Sequence, residues 1–362
     1  MSDKLRVGIL GGTGMVGQRF ITLLENHPWF DVVLVAASGR SAGKLYEDAV
    51  EGRWKMQTPM PEFVKKMTVY DMDKDFDEIV SKVDFVFCAV DMKKDEIRAL
   101  EDAYARSETP VVSNNSAHRG TPDVPMIVPE LNPQHADIIE YQRKRLGTKV
   151  GFVTVKPNCS IQSYVPALTA LYDLKPTRVV VSTYQAISGA GKTFKRWPEM
   201  IDNVIPYIGG EEEKSEQEPL KIWGHIENGV IVPAKSPIIS AHCVRVAVAD
   251  GHLATCWASF EKPATKEEII ERWRSFEGLP QKMNLPSAPH PFLQYFEEDN
   301  RPQTHLDRDF EHGMGISLGR LRGDSLFDWR FVGLSHNTLR GAAGGAVLIA
   351  ELLCAQGYIP KK

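Results

Sequence analysis

The segment Val7-Gly-Ile-Leu-Gly-Gly-Thr-Gly-Met-Val-Gly17 constrains this chain more than any other. An apolar run, Leu5–Leu10, meets glycines at once, and Gly11, Gly14 and Gly17 follow in G-x-x-G-x-x-G spacing. The first two glycines allow a tight turn and close backbone approach to a pyrophosphate. The third lets helix and strand pack, and the helix N-terminus supplies amide donors. A glycine triplet alone is weak evidence, but the strand before it and the helical pattern after it point to a dinucleotide site. Further apolar runs at Val32–Ala37, Phe85–Val90 and Val111–Ser113 alternate with helical patterns at Gln18–Glu25, Phe76–Lys82 and Asp95–Arg106. That alternation predicts a parallel sheet covered by helices, an α/β domain of Rossmann type.

The end of the second strand bears on which dinucleotide. It reads Ala36-Ala37-Ser38-Gly39-Arg40-Ser41, with no carboxylate for a ribose 2′-hydroxyl. Arg40 with the hydroxyls of Ser38 and Ser41 suits a 2′-phosphate, which favours NADP; the alternative is a loop arginine in solvent. Asp31 precedes the strand and lies on the wrong side for the ribose.

The pattern changes after Asn158. A helix is expected over Ser160–Tyr172, then strands at Arg178–Tyr184, Ser240–Ala249, Ala254–Phe260 and Gly315–Arg322. Several alternate, which predicts an α+β domain with a mixed, largely antiparallel sheet and one wet face. Helices are expected at Lys266–Ser275 and Gly341–Cys354, and a loop with prolines at Thr121–Pro133. The acidic run Glu211–Glu218 reads as a solvated helix face. At 362 residues the chain has room for about two domains. A net charge of −4 argues against nucleic acid. No apolar run approaches the ~18 residues of a membrane span, and MSDKLRVGIL leaves no room for a signal peptide. Cys88, Cys159, Cys243, Cys256 and Cys354 are scattered without C-x-x-C, as expected of free thiols in a reducing compartment.

Three segments carry candidate chemistry. Pro157-Asn158-Cys159-Ser160 places a thiol at an expected helix start, where the dipole favours thiolate; a buried structural thiol is the plain alternative. In Arg245-Val-Ala-Val-Ala-Asp-Gly-His252 the period of two puts Val244, Val246 and Val248 on the expected core face and Arg245 on the other. His252 at the strand's end becomes a candidate acid or base opposite that thiol. His242, Cys243, His252 and Cys256 fit no zinc spacing, so no metal is expected. Ser188-Gly-Ala-Gly-Lys-Thr193 imitates the end of a P-loop, but Ala186 stands where the pattern needs glycine.

Taken together, GGTGMVG at 11–17, SGRSAG at 38–43, NNSAHR at 114–119, PNCS at 157–160, TYQAISGAG at 183–191, EPLK at 218–221, RVAVADGH at 245–252 and LSHNTLRGAAGGA at 334–346 resemble the archaeal and fungal aspartate-semialdehyde dehydrogenases. Ala247 departs from the proline many relatives carry. The resemblance implies an NADP-binding domain over 1–157, completed by a C-terminal helix within 337–362, and a catalytic and dimerisation domain over 158–336. It implies Cys159 as nucleophile, His252 as general acid/base and Gln185 as the residue orienting a thioester. Arg245 would hold the substrate carboxylate and Glu218 its amino group. Arg119, Asn158 and Lys221 would bind phosphate. Gly11, Thr13, Gly14, Met15, Val16, Ser38, Arg40, Ser41, Ser188, Gly189 and Asn337 would bind NADP. It further implies small-molecule substrates, a homodimer or homotetramer, and a cytoplasmic location. N-acetyl-γ-glutamyl-phosphate reductase, glyceraldehyde-3-phosphate dehydrogenase, a P-loop phosphotransferase and a noncatalytic NADP-binding regulator are the competing readings. The EPLK acid argues against the first of these, whose substrate nitrogen is neutral.

Overall fold

In the computed structural model, which describes residues 4–362, six parallel strands build the first sheet. They are β1 (Leu5–Leu10), β2 (Phe30–Ala37), β3 (Val69–Asp71), β4 (Phe85–Cys88), β5 (Val111–Ser113) and β6 (Val153–Val155), in the order β3-β2-β1-β4-β5-β6. The strand order reverses beside β1, and the loops after β1, β4, β5 and β6 open on the same edge, where such sheets bind ligands. Gly11 sits at φ +79°, and a Cβ there would lie 2.3 Å from the Ala89 carbonyl oxygen. A Cβ on Gly17 would lie 2.4 Å from the Gly11 oxygen, so helix Met15–Leu24 packs on this turn only with glycine present.

The second sheet follows from β7 (Pro176–Gln185), β8 (Val204–Ile205), β11 (Ile238–Val246), β12 (His252–Phe260), β13 (Leu293–Phe296), β14 (Ile316–Gly323) and β15 (Trp329–Ser335). A separate hairpin, β9 (His225–Glu227) and β10 (Val230–Val232), lies between β8 and β11 in the chain. The sheet order is β13-β14-β15-β12-β7-β11-β8. It is mixed, with β7 parallel to β11 and β13 parallel to β14, and the other neighbours antiparallel. One apolar cluster runs from Val86 and Val153 of the first sheet to Val179, Cys256 and Phe331 of the second, so the two sheets are joined by a common core. A second cluster seats the C-terminal helix Gly344–Ala355 against Val7 and Phe87 of the first sheet and Phe20 of helix Met15–Leu24.

Two local expectations are corrected. The chain after Cys159 is not one helix. It is a 3-10 turn at Ser160–Ser163, a short α-helix at Val165–Thr169 and another 3-10 turn at Tyr172–Leu174. Pro166 lacks the N–H a continuous helix would use and restrains the residue before it, and Tyr164 takes a non-helical φ of −136°. On β11 the alternation holds but the faces are reversed. Cys243 and Arg245 are buried, while Val244 and Val246 are half-buried on the face that also carries exposed Val180 and Ile238. The Glu211–Ile222 helix packs against the Arg245 face, and Glu216 and Glu212 accept hydrogen bonds from the Ala241 and Cys243 amides.

Candidate active site

The loops after β1, β4, β5 and β6 meet the Ile187–Ala190 turn and the segment after β15 around one cleft of about 490 Å³. Met15, Val16, Ser188, Gly189 and Asn337 line one part of it, and Asn158, Cys159, Arg119, Glu211 and Lys214 another. Helix Met15–Leu24 has no side-chain N-cap, so its first-turn amides face this cleft uncapped. Asn114 also lines the cleft, and its buried Nδ2 has no hydrogen-bond partner. A glycine turn that admits no Cβ, open helix amides and an orphaned amide donor fit a dinucleotide. Asn337 ties the two parts together: its Nδ2 donates to Ser188 Oγ at 2.8 Å and its Oδ1 accepts from Gly251 N at 2.8 Å. Thr13 and Gly14 stand in the turn before the helix. Ser38 and Arg40 are exposed at the end of β2, with Ser41 buried beside them. The P-loop resemblance fails structurally: Ser188 lies in the 3-10 turn Ile187–Ala190, no α-helix follows before Glu211–Ile222, and Lys192 Nζ lies 4.1 Å from the Trp197 ring centre.

The reacting groups come from distant segments. Cys159 follows β6, and its Sγ lies 3.4 Å from Nε2 of fully buried His252, the first residue of β12. The Ala186 amide donates to His252 Nδ1 at 3.1 Å. That bond assigns the lone pair to Nδ1 and the proton to Nε2, which points to the sulfur. Burial, then the Arg245 charge, pull the imidazole down to about 3, so the ring is neutral near pH 7. Arg245 donates Nη1 to the Ala186 carbonyl at 2.7 Å, which leaves the rest of its guanidinium free to grip a carboxylate. Neither Gly189 nor Gly341 has room for a side chain. A Cβ on Gly189 would lie 2.9 Å from Arg245 Nη1, and one on Gly341 would lie 2.8 Å from Cys159 Cβ.

The thiol itself departs from expectation. Burial, reinforced by the Glu211 charge, pushes Cys159 up rather than down, opposed by Lys156, Arg119 and Arg245. The element behind it is a four-residue 3-10 turn, too short for a helix dipole. The cation that opposes this most is Lys156, which is buried and pulled down to about 7, chiefly by burial.

The expected EPLK contacts are also corrected. Glu218 is absent from the cleft wall: its Oε1 accepts from Arg119 Nη1 at 2.9 Å and its Oε2 from the Asn158 amide at 2.6 Å. Lys221 Nζ donates to the carbonyls of Arg119, Thr121 and Val124 at 2.8–2.9 Å, so its three N–H groups are taken and it is a strut rather than a phosphate ligand. The cleft wall instead carries Glu211 and Lys214, two turns earlier on the same helix and ion-paired at 2.8 Å. Glu211 is buried, not solvated as the acidic run suggests. Both its oxygens accept from Asn158 Nδ2, and Oε2 also accepts from Gln185 Nε2 at 3.3 Å. Asn158 therefore positions Glu211 instead of offering an open amide to phosphate, since its Oδ1 already accepts from Ser160. Gln185 lies beside Arg245 in the β7–β11 register, underneath the cleft.

Comparison with known proteins places this geometry. Residues 6–139 match the family described as "Semialdehyde dehydrogenase, NAD binding domain", and residues 168–340 match "Semialdehyde dehydrogenase, dimerisation domain". The aspartate-semialdehyde dehydrogenase of Methanothermobacter thermautotrophicus is 43% identical over 96% of this chain and 99% of its own length. That of Aspergillus fumigatus is 41% identical over 98% and 99%. The crystal structure of the Candida albicans enzyme with NADP superposes with a TM-score of 0.87 at 36% identity, covering 98% of this chain and all of that one. No helix among the described residues is long and apolar enough to cross a membrane. A dinucleotide cradle, a cysteine against a neutral histidine and full-length likeness to these enzymes agree: the chain belongs to the aspartate-semialdehyde dehydrogenase family.

Proposed function

We propose that this protein reduces L-4-aspartyl phosphate to L-aspartate 4-semialdehyde with NADPH and releases phosphate, reversibly, as a cytoplasmic homo-oligomer serving threonine and methionine synthesis. The observation that carries the reading is the 3.4 Å contact between Cys159 Sγ and His252 Nε2 in the same cleft as the glycine turn. Cys159 attacks the acyl carbon; a C–S bond forms, the C–O bond to phosphate breaks, and phosphate leaves with the electron pair and takes up the proton that the thiol gives up. Dividing the reaction through a thioester replaces one hard step with two easier ones. Arg119 and Lys214 hold the departing anion, a reading supported by their position on the cleft wall. Arg245 takes the substrate carboxylate and Glu211, in place of Glu218, the amino group. The chemistry the dinucleotide supplies when bound is hydride transfer to or from the carbon carried on Cys159. His252, held as the Nε2–H form by Ala186, donates a hydrogen bond to the developing oxyanion. Collapse of that tetrahedral adduct expels the thiolate and releases the aldehyde. Gln185 steadies the carboxylate of Glu211 from below.

In the assayed reverse direction, aldehyde, NADP and inorganic phosphate together should generate NADPH absorbance, and omission of phosphate should abolish steady turnover. Cys159→Ser should lower the rate by at least about a thousandfold, in line with loss of a covalent nucleophile, while retaining NADP affinity. Turnover near the unmodified rate in that variant would refute the thioester.

A further inference from the structure

A second cavity of about 620 Å³ lies against the catalytic cleft, beyond the Arg119 guanidinium. The two cavities share Lys94, Ser116, Arg119 and Lys214, a wall with three cations. The second cavity is also lined by the carboxylates of Glu213 and Glu218 and by Lys221, and it opens on its far side past Gln217 of the Glu211–Ile222 helix, Ile231 of β10 and Pro233 just after it. Arg119 has five N–H donors, of which three are bonded, to Lys156 O, Glu218 Oε1 and Asn114 O. The remainder are free to move an oxyanion from one cavity to the other. Lys214 keeps its stem on the same wall with its side chain 30% exposed. The cleft on the Cys159 side is where a dinucleotide would sit, against Met15, Val16 and Asn337. A small anion therefore has a cationic route on the other side of Arg119 that does not pass the cofactor.

We propose that the cavity between Arg119 and Gln217 is the passage by which inorganic phosphate enters and leaves the site while the dinucleotide remains bound. This rests on the phosphate-dependent reaction proposed above and extends it. The passage lets phosphate depart after acylation of Cys159 without prior release of the cofactor, and its cations raise the local concentration of the anion.

Gln217 is exposed on the helix and takes no part in the reaction. Three variants test the passage through initial rates with aldehyde, NADP and inorganic phosphate as the varied substrates. Gln217→Trp, which fills the cavity, should raise the phosphate KM at least about threefold, with the KM values for aldehyde and NADP within twofold of the unmodified enzyme. Gln217→Glu should lower kcat/KM for phosphate, and Gln217→Lys should raise it, with a spread of about tenfold at low ionic strength that shrinks in salt. The charge pair keeps the test decisive if the tryptophan disturbs folding. Unchanged phosphate constants in all three variants would overturn the passage, as would a rise shared equally by aldehyde and NADP. Failure of the underlying reaction reads differently, since the unmodified enzyme would then turn over without phosphate.

Discussion

One helix carries the same Glu-x-x-Lys pattern twice, and the two copies do different work. Glu211 and Lys214 stand at its N-terminal end on the wall of the cleft that holds Cys159. Glu218 and Lys221, seven residues on and so nearly under the first pair, are buried against the 119–124 loop. The second pair joins the two halves of the molecule: Glu218 binds Arg119 and the Asn158 amide, and Lys221 gathers three backbone carbonyls. Residue type and spacing are therefore silent about role. What differs is which groups the fold places opposite.

The contrast can be broken by exchanging outcomes between the pairs. The largest effect is expected from Glu211→Ala, which should lower kcat/KM for the aldehyde about a hundredfold, as loss of a charged substrate contact does. Its thermal midpoint should fall by less than that of Glu218→Ala, because the Lys214 it unpairs is 30% exposed and can turn to water. Glu218→Ala should behave in the opposite sense. It leaves the half-buried Arg119 guanidinium without its carboxylate partner, at a cost of about 3 kcal/mol, seen as a lowered melting temperature. Lys221→Met strands three carbonyls and should destabilise by about 2 kcal/mol, whereas Lys214→Met should keep the melting temperature and raise the phosphate KM about tenfold. Equal losses of stability in Lys214→Met and Lys221→Met would erase the distinction.

A smaller effect separates the dinucleotide end from the catalytic end. Arg40→Ala should weaken NADP about tenfold and leave NAD affinity unchanged, read by fluorescence titration with each. Similar losses for both would remove Arg40 from recognition of the 2′-phosphate. The smallest concerns pH. Burial holds His252 down to about 3 and His336 down to about 4, while unfolded histidines titrate at about 6.5. The unfolded chain then binds more protons across that interval, so the melting temperature should fall as pH drops from about 6 to 4. His336→Gln should flatten that fall; an unchanged slope would discharge the histidine from it.

The dinucleotide end was far more legible than the catalytic end. Its signal is local: β1, the glycine turn and the helix lie within twenty residues, Gly11 takes its positive φ there, and Gly14 and Gly17 pack on the turn itself. The helix at Phe76–Lys82 was marked by the same short-range periodicity. The strands Val69–Asp71 and Val153–Val155 are three residues each, too short for a periodic signal. The catalytic end is assembled from residues 119, 159, 211, 245 and 252, whose neighbours no window reveals. Alternation along β11 established two faces but not which one packs, because valines serve a half-covered sheet face as well as a core. Glu211 was hidden in a run of acids that reads as a solvated face, although only Glu213 among them is exposed; its only mark was its place at the start of the helix, after Gly210. Pro166 was the available mark of the broken helix behind Cys159, which the expectation of one helix over Ser160–Tyr172 passed over.

The central claim is a thioester on Cys159. Enzyme mixed with aspartate semialdehyde and NADP but no phosphate, quenched in acid and digested, should yield a peptide around Pro157–Ser160 carrying an acyl group on Cys159. Adding phosphate before the quench should remove it. Formation of NADPH with that cysteine never modified would contradict the account.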